Sequence, residues 1–201
     1  MALNVPNQLT LARIVLSIAF FFVLSQYTHV APQTIWLHAA FVIFVVAAAT
    51  DFLDGHLARK HNWVTPLGRV LDPFADKMLI CGAFILLAGP GFVNRDQVNV
   101  TGVAPWMVVV IVGRELLVTG LRGFNESQGT AFAASLHGKI KMWVQSVAAP
   151  TLLIIVAHQG RTFTGAWIQV VKLVLVYLTV IVTALSAIQY LQRSKDALRG
   201  S

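Results

Sequence analysis

An all-α integral membrane bundle of six transmembrane helices, with both termini cytoplasmic, is the fold class that this 201-residue sequence predicts. Three observations predict it. In composition, 57% of the residues are hydrophobic and only 11% charged, and the mean hydropathy is +0.73, which excludes an ordinary water-soluble domain. Runs without formal charge as long as Ile14 to Ala31 are what a hydrocarbon layer about 30 Å thick requires. The cations are also unevenly placed. Six spans put both termini on one side, and with that side cytoplasmic, twelve of the 15 Lys and Arg fall at inner ends. Only Arg95, Arg161 and Lys172 remain on the outer half. The net charge of +7 is thereby assigned to membrane topology, and no nucleic-acid partner is expected.

The six apolar segments run roughly over residues 12–28, 35–53, 71–92, 104–122, 138–158 and 166–191. The first has no basic residue before Arg13 and no clear small-residue cleavage site, so it reads as a retained span rather than a secretory signal. The second ends in charge, yet nothing decisive between Thr50 and Arg59 breaks a helix, which predicts that the helix continues beyond the hydrocarbon. Pro66 and the residues before it predict a turn into the third span, which carries the single cysteine, Cys81, as a packing residue with no disulfide partner. The fourth and fifth spans have cations at their inner ends, and the sixth ends in Arg193, Lys195 and Arg199, assigned to headgroup anchoring. Outer connections rich in Gly, Pro, Asn and Thr read as turns without chemistry. Trp36, Trp63, Trp106, Trp143 and Trp167 lie mostly near span ends, as interfacial anchors do. No repeat or linker interrupts the chain, which is read as one domain over residues 1–201.

Four of the eight acidic residues crowd into "DFLDGHLARKHNWVTPLGRVLDPFAD", residues 51–76. On a helix Asp51, Asp54, Gly55, Ala58 and Arg59 share one face, and Gly68, Asp72 and Asp76 share a face of the next. Two helices joined by a turn can aim all four carboxylates at one another. At an effective dielectric of about 20, one such pair at 4 Å repels by about 4 kcal/mol, so cations or protons must accompany them. Oxygen-only ligands favour Mg²⁺ or Mn²⁺, and four carboxylates suffice for two divalent cations, an arrangement used for transfer at phosphorus. The small residues beside them leave room for a flat base or a diphosphate, although Gly55, Ala58 and Gly68 are equally compatible with simple helix packing. The six histidines show no ligand spacing, and His56 and His61 are read as interfacial.

The pattern Asp51-x2-Asp54-Gly55-x2-Ala58-Arg59-x8-Gly68-x3-Asp72-x3-Asp76 resembles, at every position, the signature of the CDP-alcohol phosphotransferase family. The resemblance implies an integral membrane enzyme of six helices that displaces CMP from a CDP-linked donor with an alcohol. It implies that Asp51, Asp54, Asp72 and Asp76 bind two metal ions, and that Asp76 accepts the proton of the attacking hydroxyl. It also implies that Gly55, Ala58, Arg59 and Gly68 line the CDP pocket, and that the protein is a homodimer. The N-terminal "NVPNQLTLAR" is similar to the branch that uses sn-glycerol 3-phosphate, in which Asn7, Thr10 and Arg13 lie near the nucleotide. Asn7 is also compatible with a helix N-cap, and Thr10 with a tolerated hydroxyl.

A second polar set, "GRELLVTGLR" and "HGKIKMWVQ", gathers Arg114, Arg122, Lys139 and Lys141 at inner span ends. Four cations beside a metal site repel it unless an anion lies between them, which favours an anionic acceptor over choline or ethanolamine. In the same branch of the family the corresponding cations bind the acceptor phosphate, and Glu115 is placed to hold one of the arginines. One departure stands out: Met142 occupies a position where that branch usually has Thr. The expected reaction is CDP-diacylglycerol plus sn-glycerol 3-phosphate giving phosphatidylglycerophosphate and CMP, at the inner membrane with the site facing the cytoplasm. Rival acceptors within the family are inositol phosphate, serine and phosphatidylglycerol. A divalent-cation transporter is the rival of another class, disfavoured because the aspartates fall at span ends and no broken helices or inverted halves occur.

Overall fold

The computed structural model describes residues 5–61, 66–127, 136–160, 162, 163 and 165–199; side chains are described for residues 7–50, 71, 73–125, 138–160, 162, 163 and 165–192. Six α-helices make up the described chain: α1 Val5–Ser25, α2 Thr34–His61, α3 Pro66–Leu87, α4 Pro105–Ser127, α5 Leu136–His158 and α6 Ala166–Arg199. No β-strand occurs among the described residues, which are all-α in their regular structure. Helices α3 and α4 each begin at a proline, whose fixed φ suits a first helical position and whose missing N–H costs nothing there.

The helices overrun the apolar segments at one end of the bundle. Helix α2 continues through Asp51 to His61, α3 starts at Pro66 rather than near residue 71, and α4 reaches Ser127. This is the extension expected from the absence of a breaker after Thr50. At the opposite end α3 stops earlier than its apolar run, because Gly89 and Pro90 turn the chain into a 3₁₀ turn over Pro90–Phe92. There the His29 amide donates to the Gly91 carbonyl at 2.8 Å, and the approach is so close that a Cβ on Gly91 would lie 2.7 Å from the Tyr27 carbonyl oxygen. Burial pushes the Tyr27 hydroxyl up to about 12, and burial, followed by the charge of Lys172, lowers His29. Lys172 itself donates to the Val100 carbonyl at 2.6 Å and to Gln159 Oε1 at 3.1 Å, tying α6 to the ends of its neighbours.

In packing order the helices form a ring, α1, α2, α5, α6, α4, α3 and back to α1, with α3 and α5 also touching across it. Alanines at 40, 47, 83, 148 and 149, all buried, let the backbones approach closely, as small residues do between membrane helices. Phe20 meets Phe44 edge to face at 5.6 Å, a pair worth about 0.5–1.5 kcal/mol beyond its buried area. Polarity is inverted relative to a soluble protein. Phe22, Val109 and Leu116 are about two-thirds exposed, whereas Arg13, Ser17 and Thr183 are fully buried. Three helical stretches, Asn7–Ser25, Gly138–His158 and Ala166–Gln192, are long and apolar enough to cross a membrane, and Thr34–Thr50 is a shorter apolar stretch. The chain is a multi-pass membrane protein. Trp106 and Trp167, at the starts of α4 and α6, are more than half exposed, as is Trp143 near the start of α5.

Candidate active site

The start of α1, the end of α2, the start of α3, the end of α4 and the start of α5 meet at the end of the bundle where the helices overrun. Asp51, Asp54, Gly55, Ala58 and Arg59 lie on the last turns of α2, and Gly68, Asp72 and Asp76 on the first turns of α3. The side chains of residues 51–70 and of Asp72 are outside the described ones, and so are the metal and CDP contacts expected of Asp51, Asp54, Asp72, Gly55, Ala58, Arg59 and Gly68. Asp76 is described and half-buried.

Helix α1 contributes Asn7, Thr10 and Arg13, spaced so that they share one face, and all three are buried. Asn7 lies inside α1 rather than ahead of it, so the N-cap alternative does not describe its position. Burial of a full guanidinium is costly in a membrane protein unless charge or hydrogen bonds answer it, and Arg13 lines a cavity of about 140 Å³ together with Asp76. The remaining wall of that cavity is mainly apolar, from Ala47, Ala48, Leu79 and Trp143.

A larger cavity of about 640 Å³ lies on the other side of Asp76. All four cations singled out in the sequence line it: Arg114 and Arg122 from α4, Lys139 and Lys141 from α5. Lys77 joins them; the sequence reading counted it only among the inner cations, although it directly follows Asp76. Asp76, Ile80 and Met142 line both cavities and so form the partition between them. Met142, the departure from the family pattern, therefore sits on that partition.

The cations differ in how they are held. Arg122 and Lys139 are exposed. Lys141 is buried, and its Nζ donates to Oε1 of buried Glu115, which also receives Arg114 Nη1 at 3.4 Å. Glu115 thus holds a lysine as well as an arginine, one partner more than the sequence suggested. Arg114 is fixed at a second point, donating from Nε to Ser186 Oγ at 2.8 Å. Ser186 belongs to a polar seam on α6 that sequence reading missed. Thr179, Thr183 and Ser186 all donate their hydroxyl protons to carbonyls of their own helix, at 2.7, 2.6 and 2.9 Å. With the proton committed, each hydroxyl has only lone pairs to offer a neighbour. Ser186 accepts Arg114 from α4, and Thr183 accepts Gln145 Nε2 from α5 at 3.0 Å.

Among the described residues no group of three or more His, Cys, Asp or Glu gathers, since only Asp76 of the four motif aspartates has a described side chain. The donor chemistry fits a hard divalent cation. The motif supplies carboxylate oxygens alone, and the Asp76 carboxylate borders two cavities from which a phosphate group could share such an ion.

The bundle sets a carboxylate between a mainly apolar cavity and one lined by cations, an arrangement able to hold an anionic group beside an apolar one. The chain belongs to the CDP-alcohol phosphatidyltransferase family, whose sequence profile it matches over residues 3–187, and it is a phosphatidyltransferase. Among similar proteins, one from Bacillus subtilis (strain 168) is 36% identical over 206 residues, covering 98% of each chain. One from Escherichia coli (strain K12) is 34% identical over 200 residues, again covering 98% of both. A third, from Rickettsia felis, is 31% identical over 182 residues, covering 89% of this chain and 90% of its own. All three bear the name CDP-diacylglycerol–glycerol-3-phosphate 3-phosphatidyltransferase.

Proposed function

We propose that the protein transfers the phosphatidyl group of CDP-diacylglycerol to sn-glycerol 3-phosphate, yielding phosphatidylglycerophosphate and CMP. The observation that carries this reading is the cation-lined cavity of about 640 Å³ beside Asp76, which suits an acceptor that bears its own phosphate. The names of the three relatives support the same acceptor. No observation favours a cation transporter.

In this reading Arg114, Arg122, Lys139 and Lys141 bind the acceptor phosphate and orient its primary hydroxyl toward Asp76. Asp76 takes the proton as the hydroxyl oxygen bonds to the β-phosphorus, and the bond from that phosphorus to the oxygen of CMP breaks. Asn7, Thr10, Arg13, Gly55, Ala58, Arg59 and Gly68 hold the CDP moiety. Asp51, Asp54, Asp72 and Asp76 would hold two divalent cations, Mg²⁺ or Mn²⁺, which when bound neutralise charge on the diphosphate. The topology that suits this chemistry is six spans in the inner membrane, with both termini and the site cytoplasmic, so that the lipid donor stays in the bilayer while a soluble acceptor arrives from the cytoplasm. A homodimer is the assembly implied by family resemblance.

The test is CMP release by detergent-purified protein supplied with CDP-diacylglycerol, with and without glycerol 3-phosphate, in Mg²⁺ or in EDTA. Release that needs both metal and glycerol 3-phosphate is expected; preference for serine, inositol phosphate or phosphatidylglycerol would overturn the acceptor. Lys139→Ala should raise the acceptor KM tenfold or more with a smaller effect on kcat, as loss of a charge-assisted hydrogen bond of about 1.5–3 kcal/mol requires. Initial rates over a glycerol 3-phosphate titration measure it.

A further inference from the structure

Ser186 holds one cation of the acceptor cavity from outside that cavity. It is 1% exposed on α6 and lies behind Arg114, which lines the cavity while Ser186 does not. Its one proton goes to the Thr183 carbonyl at 2.9 Å, so it meets Arg114 Nε purely as an acceptor, at 2.8 Å. The other hold on the guanidinium is longer and shared: Nη1 lies 3.4 Å from Glu115 Oε1, an oxygen that Lys141 also takes. One contact of that kind leaves a long side chain free to swing about it, whereas two contacts at different nitrogens fix the plane of the fork. Nη2 then keeps both its N–H groups; it has no partner among the described residues and is not sealed off from solvent.

A tie between α4 and α6 does not need a charge. The bond from Gln145 to Thr183 joins α5 to α6 with neutral groups at 3.0 Å, and a guanidinium drawn in among membrane helices is costly. What the charged version adds is an ionised fork with one end anchored and the other end free, on a residue that borders the cavity. We propose that Ser186 is a positioning residue for the acceptor: by taking Arg114 Nε it holds the guanidinium with Nη2 toward the cavity, where its N–H groups meet the acceptor phosphate. The proposal rests on the reading of this cavity as the acceptor site. A guanidinium held in this way gives up its rotational freedom on folding rather than on binding, so the charge-assisted hydrogen bonds to phosphate form at a smaller entropic cost.

Steady-state kinetics with CDP-diacylglycerol and glycerol 3-phosphate separate positioning from a merely structural bond. Ser186→Ala should raise the acceptor KM roughly three- to thirtyfold, the range of a hydrogen bond to a charged group, and leave kcat and the donor KM within about twofold. Ser186→Thr keeps the hydroxyl, as Thr179 and Thr183 do in the same seam, and should stay near the wild type. Lysine has no nitrogen at the Nε position, so in an Arg114→Lys background Ser186→Ala should lower the acceptor kcat/KM no further. An unchanged acceptor KM in Ser186→Ala overturns the proposal, and so does an equal fold-loss from Ser186→Ala in the wild-type and Arg114→Lys backgrounds. Wild-type CMP release that ignores glycerol 3-phosphate, while another alcohol supports it, overturns the acceptor reading itself and this assignment with it.

Discussion

Asp76→Asn should reduce CMP release by a thousandfold or more, within the range of about 10²–10⁴ attributed to a positioned acid or base and deepened by loss of a metal ligand. Asn keeps the size and shape of the side chain at the partition of the two cavities, so packing around Ile80 and Met142 should persist. It cannot take up the proton of an attacking hydroxyl. Binding of CDP-diacylglycerol, measured by protection of the protein against thermal unfolding, should be largely retained because most of the proposed donor contacts lie on α1 and α2. An Asp76→Asn protein that turns over at wild-type rate would remove the proposed base; one that binds neither donor nor metal would assign Asp76 to ground-state binding instead.

Glu115→Ala should have the largest effect on stability. It removes the one carboxylate shared by buried Lys141 and half-buried Arg114 and leaves two cations facing each other. Breaking a buried charge pair from one side costs about 3–5 kcal/mol. For a chain of this length that corresponds to a fall in Tm on the order of 10 °C, read as the midpoint of thermal unfolding in detergent. The double variant Glu115→Gln with Lys141→Met should recover much of the loss, since replacing both charges avoids the uncompensated ion. It should not recover use of glycerol 3-phosphate. A Glu115→Ala protein that melts like the wild type would show that the network carries no load, whatever its activity.

Much of the architecture was legible because lipid imposes a simple rule. Charge-free runs mark helices, and the asymmetry of the cations marks one end of the bundle as the end where chemistry gathers. The continuation of α2 beyond Thr50 was legible for the same reason, as no glycine–proline break intervenes before Arg59. Arg114, Arg122, Lys139 and Lys141 stood out as charges in an apolar chain, and they do line one cavity with Asp76. The α6 seam was not legible. Thr179, Thr183 and Ser186 are uncharged and follow no motif, and isolated hydroxyls in an apolar span read as tolerated residues. Their role emerges only once α4 and α5 pack against α6, where Arg114 meets Ser186 across 72 residues of sequence and Gln145 meets Thr183 across 38. The spacing of those three hydroxyls, four and then three residues apart, was the available signal: a hydrophilic stripe on one face of an otherwise oily helix.

The partition at Asp76 bears on the order of events in turnover. Two adjoining compartments that share Asp76, Ile80 and Met142 in their linings can be filled at the same time, with the reacting groups in direct contact where the two adjoin beside Asp76. Such a plan calls for a ternary complex and direct displacement, with no phosphatidyl group parked on the protein between half-reactions. Double-reciprocal plots taken at several fixed donor concentrations should therefore converge rather than run parallel, and radiolabelled CMP should not exchange into CDP-diacylglycerol when the acceptor compartment is empty.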